Sequence, residues 1–351
     1  MTDQLRIGLV GCGRISGRHL EVLSASEDLK LVAVCDLVQE KRERAAAASG
    51  AVAYADYREM VRAERLDVVS VLTESGSHSR IGVDLAPHVR SLIVEKPMAL
   101  TLEDADRLIE ACDAHGARLF VVKQNRYNPA VVRLRKAFEA GRFGKLVMGT
   151  VRVRWCRTQE YYDQDSWRGT WKDDGGVFTN QASHHLDLLQ WFMGPIESVM
   201  AYTSTRLVRI ETEDTGVAVV RFTSGALGVV EATTATRPKD LEGSISILGE
   251  RGSAVVAGFA VNRVDVWNFA DPDPSDVAAR ETSNSPPNVY GFGHYAFYKD
   301  AADVIRTGRR SMLEGLEGRK SLELTNAIYE SAATHAEVRM RYVPRGVSLG
   351  R

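Results

Sequence analysis

The stretch Arg6-Ile-Gly-Leu-Val-Gly-Cys-Gly-Arg-Ile-Ser16 decides the fold. A short apolar run, Arg6–Val10, enters a glycine turn at Gly11 and Gly13, and a segment of helical period follows from Arg18. A strand buried on both faces reads as such a continuous apolar run. The same alternation recurs outward from this point. Apolar runs at Leu31–Cys35, Val68–Leu72, Leu92–Val94 and Leu119–Val122 are separated by helical segments at Gln39–Ala48, Tyr57–Ala63, Ser79–Ala86 and Leu102–Ala114. Strands alternating with helices predict a doubly wound parallel sheet, and the class α/β, for residues 1–124.

Past Gly144 the rhythm changes. Leu146–Trp155 alternates, with Val147, Gly149, Val151, Val153 and Trp155 on one side, as a strand with one buried face does. Further strand-like stretches follow at Glu197–Ser204, Thr215–Thr223, Leu227–Thr234, Glu242–Leu248, Gly252–Ala257 and Arg263–Asn268. Strands in succession without long crossovers predict a large, open, mostly antiparallel sheet, so residues 125–351 read as an α+β domain. Helices are expected from Asn180 to Met193, His294 to Arg306 and Glu317 to Arg339, and a loop over Asp271–Asn288.

Composition adds exclusions. The 351 residues carry 45 basic and 46 acidic side chains, which offers no global pull toward nucleic acid. No apolar run approaches the ~20 residues of a membrane span, and the N-terminus lacks the apolar core of a signal peptide. Cys12, Cys35, Cys112 and Cys156 show no metal-like spacing and read as small buried hydrophobes, which fits a reducing cytoplasm.

The glycine turn has the form G-x-G-x-x-S. Gly11 permits the tight turn, Gly13 lets a pyrophosphate approach the backbone, and the helix after Arg14 and Ile15 offers its unpaired N–H groups to the phosphates. The second strand ends at Asp36, placed to accept bonds from ribose hydroxyls and to repel a 2′-phosphate, which favours NAD, with Lys41 and Arg42 keeping NADP open. Ligands of such sheets bind beyond the carboxyl ends of the strands, which places Thr73, Ser75 and His78 near the cofactor. The next strand ends in Glu95-Lys96-Pro97, where a lysine can stabilise a developing alkoxide and help move its proton.

In Asp174-Gly-Gly-Val-Phe-Thr-Asn-Gln-Ala-Ser-His-His-Leu-Asp187, helical spacing predicts one face carrying Asn180, His184 and Asp187. Successive residues on a helix point ~100° apart, so His185 cannot share that face. His184 is therefore the expected proton-transfer residue and His185 a supporting or structural one. The pair lacks the further ligands zinc requires, and no metal is expected.

With these motifs in this order, the chain resembles the Gfo/Idh/MocA oxidoreductases over nearly its whole length. The resemblance implies a Rossmann domain that binds NAD, then a domain whose open sheet carries the substrate and an oligomer interface, in a homodimer or homotetramer. It implies hydride transfer at a carbinol carbon of a sugar or cyclitol, with Lys96 and His184 as the catalytic pair. Many members carry Asp where this chain has Asn180, and an amide cannot take a proton. Lys123-Gln-Asn-Arg-Tyr-Asn-Pro129, Trp167-Arg-Gly-Thr-Trp171, Asn180–Trp191 and Tyr290-Gly-Phe-Gly-His294 are similar to the UDP-N-acetylglucosamine / UDP-N-acetylglucosaminuronate 3-dehydrogenases, which form 3-keto sugars for polysaccharide biosynthesis. That likeness adds Gln124 to the cofactor side, and Arg126, Tyr127, Asn128, Arg157, Tyr161, Arg168, Gln181 and His294 to the sugar side. Arg126, Arg157 and Arg168 suit a diphosphate or uronate carboxylate. The alternatives are an inositol or free-sugar dehydrogenase and a catalytically silent NAD-binding regulator.

Overall fold

The computed structural model describes residues 4–282 and 291–340. Tyr290 and the 283–288 part of the expected loop lie outside them. The chain divides into two compact units. Unit 1 comprises residues 1–123 and 294–319, and unit 2 comprises 124–293 and 320–351.

Unit 1 is built on six strands: β1 (Leu5–Val10), β2 (Leu29–Cys35), β3 (Val52–Tyr54), β4 (Val68–Val71), β5 (Ser91–Val94) and β6 (Arg118–Val121). Their order is β3-β2-β1-β4-β5-β6 and every pairing is parallel. The crossover helices are α1 (Ser16–Ser24), α2 (Gln39–Ser49), α3 (Tyr57–Ala63), α4 (His78–Leu85) and α5 (Leu102–His115). All four residues of β4 and of β5 are buried, as the apolar runs require. β3 escaped the sequence reading because it is a three-residue, mostly exposed edge strand with no apolar run.

Unit 2 contains α6 (Pro129–Glu139), β7 (Leu146–Arg154), α7 (Gln159–Tyr162), α8 (Ser183–Met193) and β8 (Ile196–Ser204). It continues through β9 (Thr215–Phe222), β10 (Leu227–Thr233), β11 (Glu242–Gly249), β12 (Gly252–Ala257) and β13 (Arg263–Phe269). A six-residue α9 (Ser275–Arg280) lies inside the stretch expected to be loop. Seven of these strands and a short C-terminal one form an eight-stranded sheet of order β13-β12-β11-β7-β10-β9-β8-β14, where β14 is Val338–Arg339. All pairings are antiparallel except β7 with β10. The inner face carries Val151, Val153, Ala218, Val220, Val230 and Ile245, all buried. Helix α8 lies close on β7, since a side chain at Gly149 would meet Met193 Cγ at 2.6 Å.

The remaining helices are α10 (Gly293–Thr307) and α11 (Gly315–Thr334). Most of α10 packs into unit 1, so the single boundary read at 124/125 does not describe the chain: the segment His294–Arg319 returns to the parallel sheet. The cause is the buried face of α10, with Phe297, Tyr298, Ala301 and Val304, and the donation from Arg118 to the carbonyl of Val304. No helix among the described residues is long and apolar enough to cross a membrane.

Candidate active site

In unit 1 the glycine turn takes the form its sequence requires. Gly11 has φ +98°, and a Cβ there would lie 2.7 Å from the main chain of Leu72. Only glycine combines that backbone with that approach. At Gly13, by contrast, a Cβ would meet nothing within 4 Å, so the space over the backbone is open. Helix α1 follows with no side-chain cap and no acid in its first turn. Asp36, at the end of β2, accepts the N–H of Cys12 through Oδ2 at 2.7 Å and that of Val38 through Oδ1 at 2.8 Å. A carboxylate oxygen has further acceptor capacity, so the same group that shapes the turn can take a ribose hydroxyl. Open space at Gly13, an uncapped helix start beside exposed Arg14 and half-buried Ile15, and Asp36 together fit a dinucleotide.

The residues beyond β4 divide. Thr73 is half-buried, and its hydroxyl meets Ser77 Oγ at 2.6 Å; Ser75 is buried in the following turn. His78 follows as the first residue of α4. It is buried, with Nδ1 2.7 Å from the carbonyl of Pro97 and Nε2 2.9 Å from that of Thr73, and it ties the end of β4 to the turn after β5.

Glu95, which the family resemblance puts on the cofactor side, is buried at the start of the same turn. Its Oε2 accepts the N–H of Lys96 at 2.9 Å, and its Oε1 accepts from His19 Nε2 at 3.0 Å. Burial pushes the carboxyl up, but the His19 bond together with the charges of His19, Lys96 and His294 outweighs it and brings the pKa down to about 2. His19 Nδ1 lies 2.6 Å from the hydroxyl of Tyr298, which is 3.3 Å from Ser70 Oγ. His294 opens α10 next to this pair. It stands buried in unit 1, edge-on to His19 at 5.3 Å, with its pKa lowered to about 3 by burial and by His19. The ligand atoms of His19, Glu95 and His294 lie within 4.8 Å of one another. Hydrogen bonds already occupy both His19 nitrogens and both Glu95 oxygens. Lys96 itself is half-buried at the turn.

In unit 2, α8 begins at Ser183, later than expected, because Asn180 is turned back to donate its amide to Asp174 Oδ1. His184 and Asp187 keep their i, i+3 relation on α8, while Asn180 precedes the helix. His184 Nε2 is 2.9 Å from Gln124 Nε2. His185 is fully buried against Trp155, its pKa lowered to about 4 by burial, and neither ring nitrogen has a hydrogen-bond partner among the described residues. Arg126 is not offered outward. It is buried, bonds both oxygens of Asp187 at 2.8 Å, and lies over Trp191.

The side-chain carbonyl oxygens of Gln124, Asn125, Asn128 and Gln181 are buried without a hydrogen-bond partner. Tyr127 is half-buried beside them in sequence, and Asn128 donates its own amide to the carbonyl of Ala260. Arg168 donates to Asp165 at 3.0 Å and to Tyr161 at 2.9 Å; Arg157 uses Nη1 for Asp240 at 3.0 Å and stacks over Trp155 and Tyr161.

One buried acid escaped the sequence reading. Glu213 is fully buried and accepts from the N–H of Phe178 at 3.1 Å and the hydroxyl of Tyr329 at 2.8 Å, its pKa pushed up to about 7 by burial. Its carboxylate fills the space a side chain at Gly176 would occupy. The free thiols divide: Cys12, Cys35 and Cys112 are buried, with pKa values pushed up to about 12 chiefly by burial, whereas Cys156 is half-exposed and not the core residue expected.

Comparison with known proteins agrees with this geometry. Residues 5–123 match the family model described as oxidoreductase family, NAD-binding Rossmann fold, and residues 135–340 match oxidoreductase family, C-terminal alpha/beta domain. Among solved structures, the WlbA dehydrogenase from Bordetella pertussis, in complex with NADH and UDP-GlcNAcA, is 45% identical. The match covers 98% of this chain and 99% of that one, with a TM-score of 0.94. The WlbA dehydrogenase from Chromobacterium violaceum, with the same ligands, is 42% identical over 97% of each chain, with a TM-score of 0.91. Myo-inositol 2-dehydrogenase of Thermotoga maritima is 30% identical over 235 residues, 65% of this chain and 68% of that protein. The chain belongs to the Gfo/Idh/MocA oxidoreductases, NAD-dependent enzymes with an N-terminal Rossmann domain.

Proposed function

We propose that the protein moves a hydride between NAD and C3 of a UDP-N-acetylhexosamine or its uronate, giving a 3-keto nucleotide sugar for polysaccharide biosynthesis. The observation that carries this reading is the likeness, along nearly the whole chain, to two dehydrogenases solved with NADH and UDP-GlcNAcA. The chain's own chemistry supports it. The four buried amide oxygens of Gln124, Asn125, Asn128 and Gln181 are acceptors that a hydroxyl- and amide-bearing ligand satisfies, and buried polar atoms are ordinarily paired. Arg157, Tyr161 and Arg168 form a cationic, aromatic group suited to a diphosphate or carboxylate.

NAD supplies the hydride acceptor for the carbinol carbon. Gly11, Gly13 and the start of α1 hold its pyrophosphate, and Asp36 its adenosine ribose. In this reading the Lys96 ammonium stabilises the alkoxide as the C–H bond breaks, and His184 takes the hydroxyl proton at Nε2, displacing the N–H that Gln124 donates there before the proton arrives. Gln124, bonded to His184, fixes the ring that receives it. The open face of the unit 2 sheet holds a second copy of the chain, in a dimer or tetramer, and the enzyme works in the cytoplasm.

The test is a screen of UDP-sugars and inositols that follows NADH absorbance. Turnover of a UDP-N-acetylhexosamine or its uronate, with UDP as a competitive inhibitor, is expected. Turnover of inositols alone, without UDP binding, replaces the proposal with the cyclitol reading that the T. maritima relative favours. Absence of any turnover leaves the silent regulator. Lys96→Ala is expected to keep NAD binding and lose about 10²-fold or more in kcat.

A further inference from the structure

We propose that His19 and Tyr298 are positioning residues for Lys96, acting through the carboxylate of Glu95. This rests on the reading of Lys96 as the lysine of the reaction, and every atom it uses lies in unit 1. Lys96 stands two residues beyond the buried strand β5, and its side chain is long and flexible. A rotamer-rich lysine is useful only if its main chain is fixed, because misplacement by an ångström costs orders of magnitude in rate.

The main chain here is fixed from both sides. On the N-terminal side, the N–H of Lys96 donates to Glu95 Oε2 at 2.9 Å. That bond holds the main chain only as well as the carboxylate itself is held, and His19 holds it, donating from Nε2 to Oε1 at 3.0 Å. The carboxylate demands the proton on Nε2, so in the neutral ring Nδ1 accepts the hydroxyl of Tyr298 at 2.6 Å. Tyr298 is fixed in turn by Ser70 on β4, at 3.3 Å. On the C-terminal side, the carbonyl of Pro97 is bonded by His78. The chain of bonds joins α1, β4, β5 and α10 at one turn, and all of its side chains are buried.

Burial makes the arrangement selective. A carboxylate without partners at this depth would be costly, and a network with every member satisfied is rigid. Removing His19 leaves Glu95 short of a donor, and removing the Tyr298 hydroxyl leaves His19 Nδ1 short of one. Neither residue needs to touch the substrate for the turnover to depend on it.

The experiment compares full-length His19→Leu, His19→Gln and Tyr298→Phe with the wild type. Two readouts are used: exchange of the Lys96 amide hydrogen followed by NMR, and steady-state turnover of the UDP-sugar. In His19→Leu the amide is expected to exchange about tenfold faster or more. kcat is expected to fall at least about tenfold, with KM for NAD and for sugar within about twofold. His19→Gln, whose amide nitrogen sits where Nε2 does, should restore both to within about threefold of the wild type. Tyr298→Phe, which keeps the shape and should fold, carries the test if His19→Leu does not, with a smaller change in the same direction. Unchanged exchange, or faster exchange with unchanged kcat, overturns the proposal. A wild type that turns over no substrate, with the exchange difference intact, removes the dehydrogenase reading and leaves the bracing of the turn standing.

Discussion

Glu213 shows how a single buried carboxyl writes itself into the pH dependence of unit 2. Its folded pKa, about 7, lies above the ordinary 4.5, because burial disfavours the charged form more than the bonds from Phe178 and Tyr329 favour it, and Asp174 adds like charge. The folded state therefore holds a proton that the unfolded chain releases. The stability that follows is complete below about pH 4.5 and is lost as pH rises through about 7. His185 and His294 act oppositely. Each is depressed from 6.5, to about 4 and about 3, so stability from their neutral rings is lost as pH falls below 6.5. The clean measure is thus a difference between proteins. Glu213→Gln should gain on the wild type between pH 4.5 and 7.5, by on the order of 1–3 kcal/mol in urea unfolding. A constant difference across that range would show that the carboxyl stays ionised when folded. Nothing near Glu213 in sequence announces this, since Glu-Thr-Glu-Asp reads as a surface acidic run and its partner Tyr329 is 116 residues away.

At the scale of elements, the parallel strands and their helices were legible because each is a local pattern: an apolar run, a turn residue, a 3.6-residue period. The glycine turn was legible for the same reason, and it carries the sharpest element-scale prediction. Gly11 joins β1 to α1 at φ +98°, with the carbonyl of Leu72 2.8 Å from where a Cβ would stand. Alanine there meets backbone that cannot yield, so the turn must open, and the phosphate-facing N–H groups move with it. Gly11→Ala should weaken NAD binding at least about tenfold in a fluorescence titration, or about 1.4 kcal/mol. Wild-type affinity would mean that the turn does not hold the dinucleotide. What stayed illegible at this scale was long range. The helix expected from Asn180 starts at Ser183, because Asp174 captures the Asn180 amide. His294 lies on the buried side of α10 edge-on to His19, a neighbour 275 residues away that no local pattern announces. Arg126 is bonded by Asp187, 61 residues later, a pairing that no local pattern announces. Residue type suggested the chemistry in each case; only the fold decides which partner is nearest.

At the scale of the whole molecule, the outer face of the eight-stranded sheet calls for a partner. Its strand alternation places Met200, Val219, Val229 and Thr150 in one cross-strand row, with Tyr202, Val217, Glu231 and Arg152 in the next. Val219 and Tyr202 are 56% and 58% exposed, and Leu227 and Leu248 extend the apolar patch toward the far ends of β10 and β11. Contiguous exposed apolar surface on a sheet marks an interface more often than bare solvent contact. The charges on this face argue that the partner is a second copy. Arg152 and Arg154 stand among Glu231 and Glu242, so the surface holds both signs side by side and can pair with itself about a two-fold axis. In solution the wild type should therefore run at twice 38.7 kDa or a higher even multiple by light scattering. Val217→Lys combined with Val219→Lys puts two ammonium groups per copy into the apolar centre and should shift the mass to 38.7 kDa. Both side chains lie on the outer face, away from α8, so the fold of the unit should survive, and unfolding curves of the two proteins check that it does. A wild type that is monomeric at every concentration, or a doubly substituted protein whose mass does not change, would remove the second copy from this face.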